Sequence, residues 1–343
     1  MGSHDSSRGG QTSQASRSSG GSATEVKTKL DRLDTYQQRH RWLAVPIAVV
    51  RKFGEDKSTN LAAMIAFWAF FSIFPLLLVF VTLLGYVLPG SEKNQVLGSV
   101  AQMFPLLNAK QVGGLSGSWW ALVVGVVSAL WSGSSVVRTV QFAFNSVWEI
   151  PYHERPKLVE QVVRSVFVLA TIGLGLVLST LINGFIAGTA NGINLGWLGH
   201  LIGYVIAIAL DLGLFILAFR WLTDRDVTTR DVLPGALLSG VVFWILQSLS
   251  SLIISRYLKN AQSTYGNFAT VITILWWFYL QSMITLLGAQ LNVVLKERLH
   301  PRGLVNAPDT DADHRVFNAY AKERTYQEDE RVRADFPNEP PRQ

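Results

Sequence analysis

The sequence predicts an all-α polytopic membrane protein, a bundle of six transmembrane helices with an N-terminal interfacial amphipathic helix and disordered tails. Three observations predict it. Only 16% of the 343 residues are charged, against about 25% in an ordinary soluble domain. The mean hydropathy is positive, at +0.26. The apolar residues gather into six blocks of roughly 20 residues or more, enough to cross a hydrocarbon core about 30 Å thick at ~1.5 Å per residue. Unpaired backbone amides are costly in hydrocarbon, so each block should be helical.

The elements follow in order. Residues 1–24 are rich in Ser, Gly and Gln with almost nothing to bury, and should form a disordered tail. Residues 25–57 turn basic and amphipathic: RWLAVPIAVVRKF sets Trp42, Ile47, Val50 and Phe53 among Arg41, Arg51 and Lys52, the pattern of a helix lying among lipid headgroups. The transmembrane domain, 58–298, holds the blocks Leu61–Leu88, Trp119–Val147, Val162–Ala187, Trp197–Phe219, Val232–Ile254 and Phe268–Leu295. Ser58 to Asn60 offer a cap for the first, and Pro75 should kink it. Between the first two, Val96, Val100, Met103 and Leu107 recur at helical spacing, which predicts an amphipathic lid. Residues 299–343 are charged, mixed in sign and poor in large apolar side chains, and read as a second disordered tail.

Loop charge sets the orientation. Lys27, Lys29, Arg32, Arg39, Arg41, Arg51, Lys52 and Lys57 precede the first block. Arg155 with Lys157, Arg225 with Arg230, and Lys296, Arg298 and Arg302 mark alternate loops, while the intervening loops are poor in charge. The positive-inside bias then places both termini in the cytoplasm, with the chain crossing the membrane several times. The net charge of +6 fits cytoplasmic loops and anionic lipid better than nucleic acid.

One block carries an anomaly. WSGSSVVRTVQFAFN, Trp131 to Asn145, puts Trp131, Ser134, Ser135, Arg138, Gln141 and Asn145 three and four residues apart, on one helical face. The opposite side, with Val136, Val137, Val140 and Ala143, is apolar. A polar row turned to lipid is expensive, so this one should meet protein or water. Arg138 either snorkels to the headgroups or has a partner, and Asp211 is the one carboxylate well inside a block. Without a partner, Asp211 should become neutral. Asn183, Gln247 with Ser248 and Ser251, and Gln281 with Ser282 and Thr285 are expected to bond between helices. No HExxH, paired-carboxylate, P-loop, GxSxG or dinucleotide pattern occurs, so the residues indicate neither an enzyme nor a cofactor or metal site.

Several segments together resemble the YihY/BrkB family of bacterial inner-membrane proteins: AAMIAFWAFFSIFPLLL from Ala62, ALWSGSSVVRTVQFAFNSVW from Ala129, LPGALLSGVVFW from Leu233, and STYGNFATVITILWWFYLQSMITLLGAQLN from Ser263. The resemblance covers all six blocks. It carries over Ser72, Pro75, Trp131, Asn145, Pro234, Gly235, Tyr265, Gly266, Gly288 and Asn292, and departs at Gln290, where the family usually has an acidic residue. Some members have carried a ribonuclease BN label for tRNA processing, others a virulence label. Nothing here gathers the acid, base or metal ligands that phosphodiester hydrolysis needs.

The functional expectation is therefore binding or translocation of an amphipathic, anionic, lipid-like molecule during envelope biogenesis. Arg138, Ser134, Gln141, Asn145 and Asp211 form its candidate site, and Pro75 opens a path. The partners expected are membrane lipids and their anionic headgroups, with envelope-assembly proteins and self-association left open. A non-catalytic scaffold for an envelope-assembly complex is the alternative.

Overall fold

A computed structural model of the chain describes residues 34–87, 118–171, 196–250, 252–256, 266–303 and 310–336. Among them every regular element is helical, with no strand. The principal helices are α1 (Arg41–Glu55), α2 (Ser58–Val87), α3 (Trp119–Val147), α4 (158–171), α5 (Gly196–Trp221), α6 (Thr229–Ser248), α7 (Ala269–Lys296) and α8 (Asp311–Glu323). Short 3-10 turns cover Tyr152–Glu154 and Gly266–Phe268. Four of the predicted blocks, within α2, α3, α6 and α7, are long and apolar enough to cross a membrane. Helix α5 runs 26 residues over the predicted fourth block. The third continues past residue 171 into residues outside those described, as do the predicted lid, Asn183 and the first 33 residues.

Helix α7 organises the bundle. It packs against α6, α2, α1 and α3, while α2 lies along α3 and α5 along α6. The α6–α7 crossing is close because both helices present glycine there. A Cβ on Gly288 would lie 2.6 Å from the Gly235 carbonyl oxygen and collide with Ser239 Oγ. Pro234 sits just before this contact, and the Gly235 N–H donates to Asn292 Oδ1 at 2.6 Å. One local unit thus joins Pro234, Gly235, Gly288 and Asn292, all residues the family resemblance singled out. Helix α2 runs unbroken through Pro75, whose missing N–H leaves the Phe71 carbonyl without its helical donor.

Two expectations are corrected, those for the C-terminal tail and for the intramembrane hydroxyls. The tail is not unstructured throughout: Thr310 and Asp313 cap α8 reciprocally, Ala312 and Val316 are buried, and Arg302 and Asp313 are fully buried. A reading from composition treats such charges as solvated, whereas here they pair. Helix α1 is amphipathic, but it buries Ala44, Ala48, Val49, Lys52 and Phe53 and leaves Trp42 and Val50 exposed. Its inner face is set by contact with α7, not by the apolar residues alone. Ser248, Ser282 and Thr285 bond back to the carbonyls of Trp244, Phe278 and Gln281 on their own helices, the alternative open to any hydroxyl one turn above a carbonyl.

Candidate functional site

The polar row lies on α3 as its spacing predicts, but the structure divides it. Ser134, Ser135, Gln141 and Asn145 are buried, whereas Trp131 is exposed and meets Trp68 edge-on at 6.3 Å. Val137 and Ala143, on the expected apolar side, are equally buried, so protein covers this helix on both sides there. Arg138 is half-buried. Its Nε donates to the Ser134 carbonyl at 3.4 Å and its terminal nitrogen to Ser135 Oγ at 3.1 Å. Its hydrogen-bond partners thus belong to its own helix, and among the described residues it has no carboxylate partner. Gln141, one turn on and 1% exposed, has neither amide atom hydrogen-bonded among the described residues.

Two other expected ligand contacts, Asn145 at the end of the row and Asp211 on α5, are differently placed. Asn145 is committed to the connection between α5 and α6: its Nδ2 donates to Asp224 Oδ2 at 2.6 Å, and its Oδ1 accepts from the Asp224 N–H at 3.0 Å. Arg164 on α4 completes that set by pairing with Asp224. Asp211 does not pair with Arg138. It lines a slot of about 130 Å³ between α5 and α6 with Ile208, Leu212, Leu237, Gly240, Val241 and Trp244.

A second cluster, unforeseen in the sequence, lies where the C-terminal ends of α1, α3 and α7 meet the N-terminal end of α2 and α8. Lys52 is fully buried; its Nζ donates to Asp56 Oδ2 at 2.7 Å and to Glu149. Gln290 Nε2 donates to Asp56 Oδ2 at 2.6 Å and Ser58 Oγ at 3.0 Å, and Tyr320 donates to Asp56 Oδ1 at 2.6 Å. The departure at Gln290 therefore has a consequence: an amide here donates to a carboxylate that a second acid would repel. Beside it, Arg302 bonds Asp313 at 2.6 Å and both oxygens of Glu55. Arg155 bonds Glu323 at 2.7 Å while stacked 4.2 Å over Tyr152.

Burial and charge set the protonation of this cap. Burial pushes the Glu149 carboxyl up to about 7, helped by Asp56 and opposed by Lys52. Burial opposes the Lys52 charge, yet Glu149 and Asp56 outweigh it and raise the ammonium above its ordinary value. Glu149 is also held at φ 46 just past the end of α3, where the Ile150 N–H reaches back to the Asn145 carbonyl at 2.9 Å. Glycine is the usual residue in that helix-ending turn. The side chain that a glycine lacks is the one that meets Lys52. A groove of about 790 Å³ opens beside the cap, lined by Glu55, Lys57, Tyr152, Tyr320, Arg324 and Tyr326 among others. Among the described residues no three His, Cys, Asp or Glu side chains are placed to hold a metal ion.

The fold and the apolar helices define a multi-pass, all-helical membrane protein. Residues 49–313 match the family described as Virulence factor BrkB, and the chain belongs to that family. It is 25% identical over 268 residues to the "Putative ribonuclease-like protein YfkH" of Bacillus subtilis (strain 168), covering 71% of this chain and 91% of that protein. It is 24% identical over 297 residues to a "UPF0761 membrane protein" of Pseudoalteromonas atlantica, covering 79% of this chain and 94% of that protein. A UPF0761 membrane protein of Aromatoleum aromaticum is 24% identical over 259 residues, 71% of this chain and 61% of its own length. No solved structure matches the chain.

Proposed function

We propose that this protein binds, and moves within the bacterial inner membrane, an amphipathic molecule with an anionic headgroup, with Arg138 as the headgroup contact. One observation carries the reading: the Arg138 guanidinium, inside a membrane-spanning helix, has no counter-charge among the described residues. A cation placed there without a carboxylate is a site marker in membranes. Gln141, buried with its amide unpartnered, and the hydroxyl of Ser135 are the neighbours able to share a headgroup. The committed bonds of Asn145 give it a positioning role, holding the end of α3 against the α5–α6 connection. No ATP-binding motif is present in the sequence, so transport in this reading is passive, gradient-coupled or partner-driven. Both termini lie in the cytoplasm in this reading, as the loop charges favour.

Mass spectrometry of lipids retained by purified protein tests it. Wild type should be enriched in an anionic species relative to the bulk membrane, and Arg138→Ala should lose that enrichment at unchanged protein yield. Equal profiles at bulk proportions would remove the assignment. The alternative, a scaffold for an envelope-assembly complex, is favoured by the groove beside the cap and by the exposed Tyr326 stacked on Tyr152 at 5.0 Å. Under it, Tyr326→Ala should abolish function and Arg138→Ala should not. The ribonuclease wording belongs to the Bacillus relative's name, and the residues here give it no support.

A further inference from the structure

Asp211 is the one acidic residue in the interior of the described membrane-length helices. Asp231, at the start of α6, is paired with Lys296 at 2.9 Å. Asp211 sits 15 residues from Gly196 and 10 from Trp221 in α5, so it lies on the order of 15–22 Å from either helix end. The other residues lining its slot, Ile208, Leu212, Leu237, Gly240, Val241 and Trp244, are uncharged and non-titratable. They come from both helices packed around it, and neither supplies a charge. Room remains beside it: a Cβ added to Gly240, which lines the slot, would meet nothing within 4 Å.

A carboxylate left without a counter-charge in such surroundings is costly and takes up a proton instead. A neutral acid kept only for packing would donate its O–H to a neighbouring acceptor, because an unmade hydrogen bond in an apolar setting is itself costly. Asp211 has no such partner among the described residues, so its carboxyl serves no visible structural bond. A lone intramembrane ionisable group of this kind marks a proton or ion path.

We propose that Asp211 is a proton-binding site open to the hydrocarbon, which takes a proton onto its carboxylate and releases it to water again. The proton site stands on its own geometry. Its use, to couple a proton gradient to movement of an anionic amphiphile at Arg138, rests on the function proposed above.

Dicyclohexylcarbodiimide, an apolar reagent that adds to protonated carboxyl groups from within the bilayer, is the probe. The full chain is reconstituted in phospholipid vesicles, treated across a range of pH, and mapped by mass spectrometry. Asp211 should be labelled, with the rate falling about tenfold for each pH unit above the midpoint. Asp211→Glu should keep the labelling, and Asp211→Asn should lose it. Absence of label at Asp211 would overturn the proposal, because the slot would then be closed to lipid or the group charged. Labelling that does not vary with pH would overturn it too, by showing a permanently neutral acid. If Asp211→Asn fails to accumulate, the wild-type pH profile and Asp211→Glu still decide. The Arg138→Ala lipid profile is read separately, so either idea can fail alone.

Discussion

Two regions of this molecule take charge out of water in opposite ways. In the cap, four cations (Arg51, Lys52, Arg155 and Arg302) meet five carboxylates (Glu55, Asp56, Glu149, Asp313 and Glu323), a net charge of −1 when all are ionised. In the span, Arg138 leans on its own helix and Asp211 faces an apolar slot. Charges of the first kind are committed to partners and hold elements together. Those of the second kind have no counter-charge among the described residues, and the proposed ligand and proton would use them.

The contrast predicts where substitution hurts folding most. Lys52→Met leaves Glu149 and Asp56 buried without their shared ammonium, and breaking a buried pair from one side costs about 3–5 kcal/mol. Thermal unfolding of the detergent-solubilised protein should show a large drop in midpoint, or the variant should fail to accumulate. A midpoint within a degree or so of wild type would mean that water reaches the cap and screens it. Gly288→Ala should rank next. Its Cβ would strike Ser239 Oγ and crowd the Gly235 carbonyl, and overpacking of this kind costs about 1–3 kcal/mol. Gly240→Ala, whose Cβ meets open space, is the matched control and should leave the midpoint nearly unchanged.

These two regions were unequally legible in the sequence. The helical class and the long apolar helices follow from block length and hydropathy, because hydrocarbon leaves the backbone so few options. The polar row follows from the three- and four-residue spacing around Arg138. The cap does not. Its partners lie far apart in the chain, Lys52 and Glu149 by 97 residues, Asp56 and Gln290 by 234, and Glu55 and Arg302 by 247. Lys52 and Arg302 count as positive loop charge in any composition window, although both are fully buried. The Arg138–Asp211 pair that the sequence left open is not formed, for the complementary reason that spacing along single helices cannot say which faces meet.

Protonation sharpens the comparison with a smaller effect. Glu149 has a folded-state pKa raised from its ordinary value to about 7, so between those limits the native cap holds a proton that the unfolded chain releases. Stability from this group is therefore fully present below the ordinary carboxylate range, falls as pH rises toward about 7, and levels off above it. Asp313, held below its ordinary value chiefly by its bond from Arg302 in spite of burial, works in the opposite sense: its stabilisation is lost as pH falls below the ordinary carboxylate range. Unfolding midpoints measured from pH 5 to 8 should decline for wild type. Glu149→Gln should flatten that decline, and an unaltered slope would place the titrating group elsewhere.

The smallest effect on folding is expected at Arg138, and there its smallness carries the argument. The guanidinium reaches its own helix through bonds of 3.4 and 3.1 Å, so Arg138→Ala strands no partner charge and should shift stability by no more than about 0.5 kcal/mol. Arg138→Lys keeps the charge but loses the planar fork that grips a phosphate or carboxylate through two bonds. If the residue grips an anionic headgroup, anionic lipid retained by the purified protein should fall in the order wild type, Lys, Ala, while the unfolding midpoints of all three coincide. If the arginine only snorkels, lysine serves as well as arginine and no such order appears. A large loss of stability in the alanine variant would instead return Arg138 to the class of the cap, a charge whose role is to hold helices together.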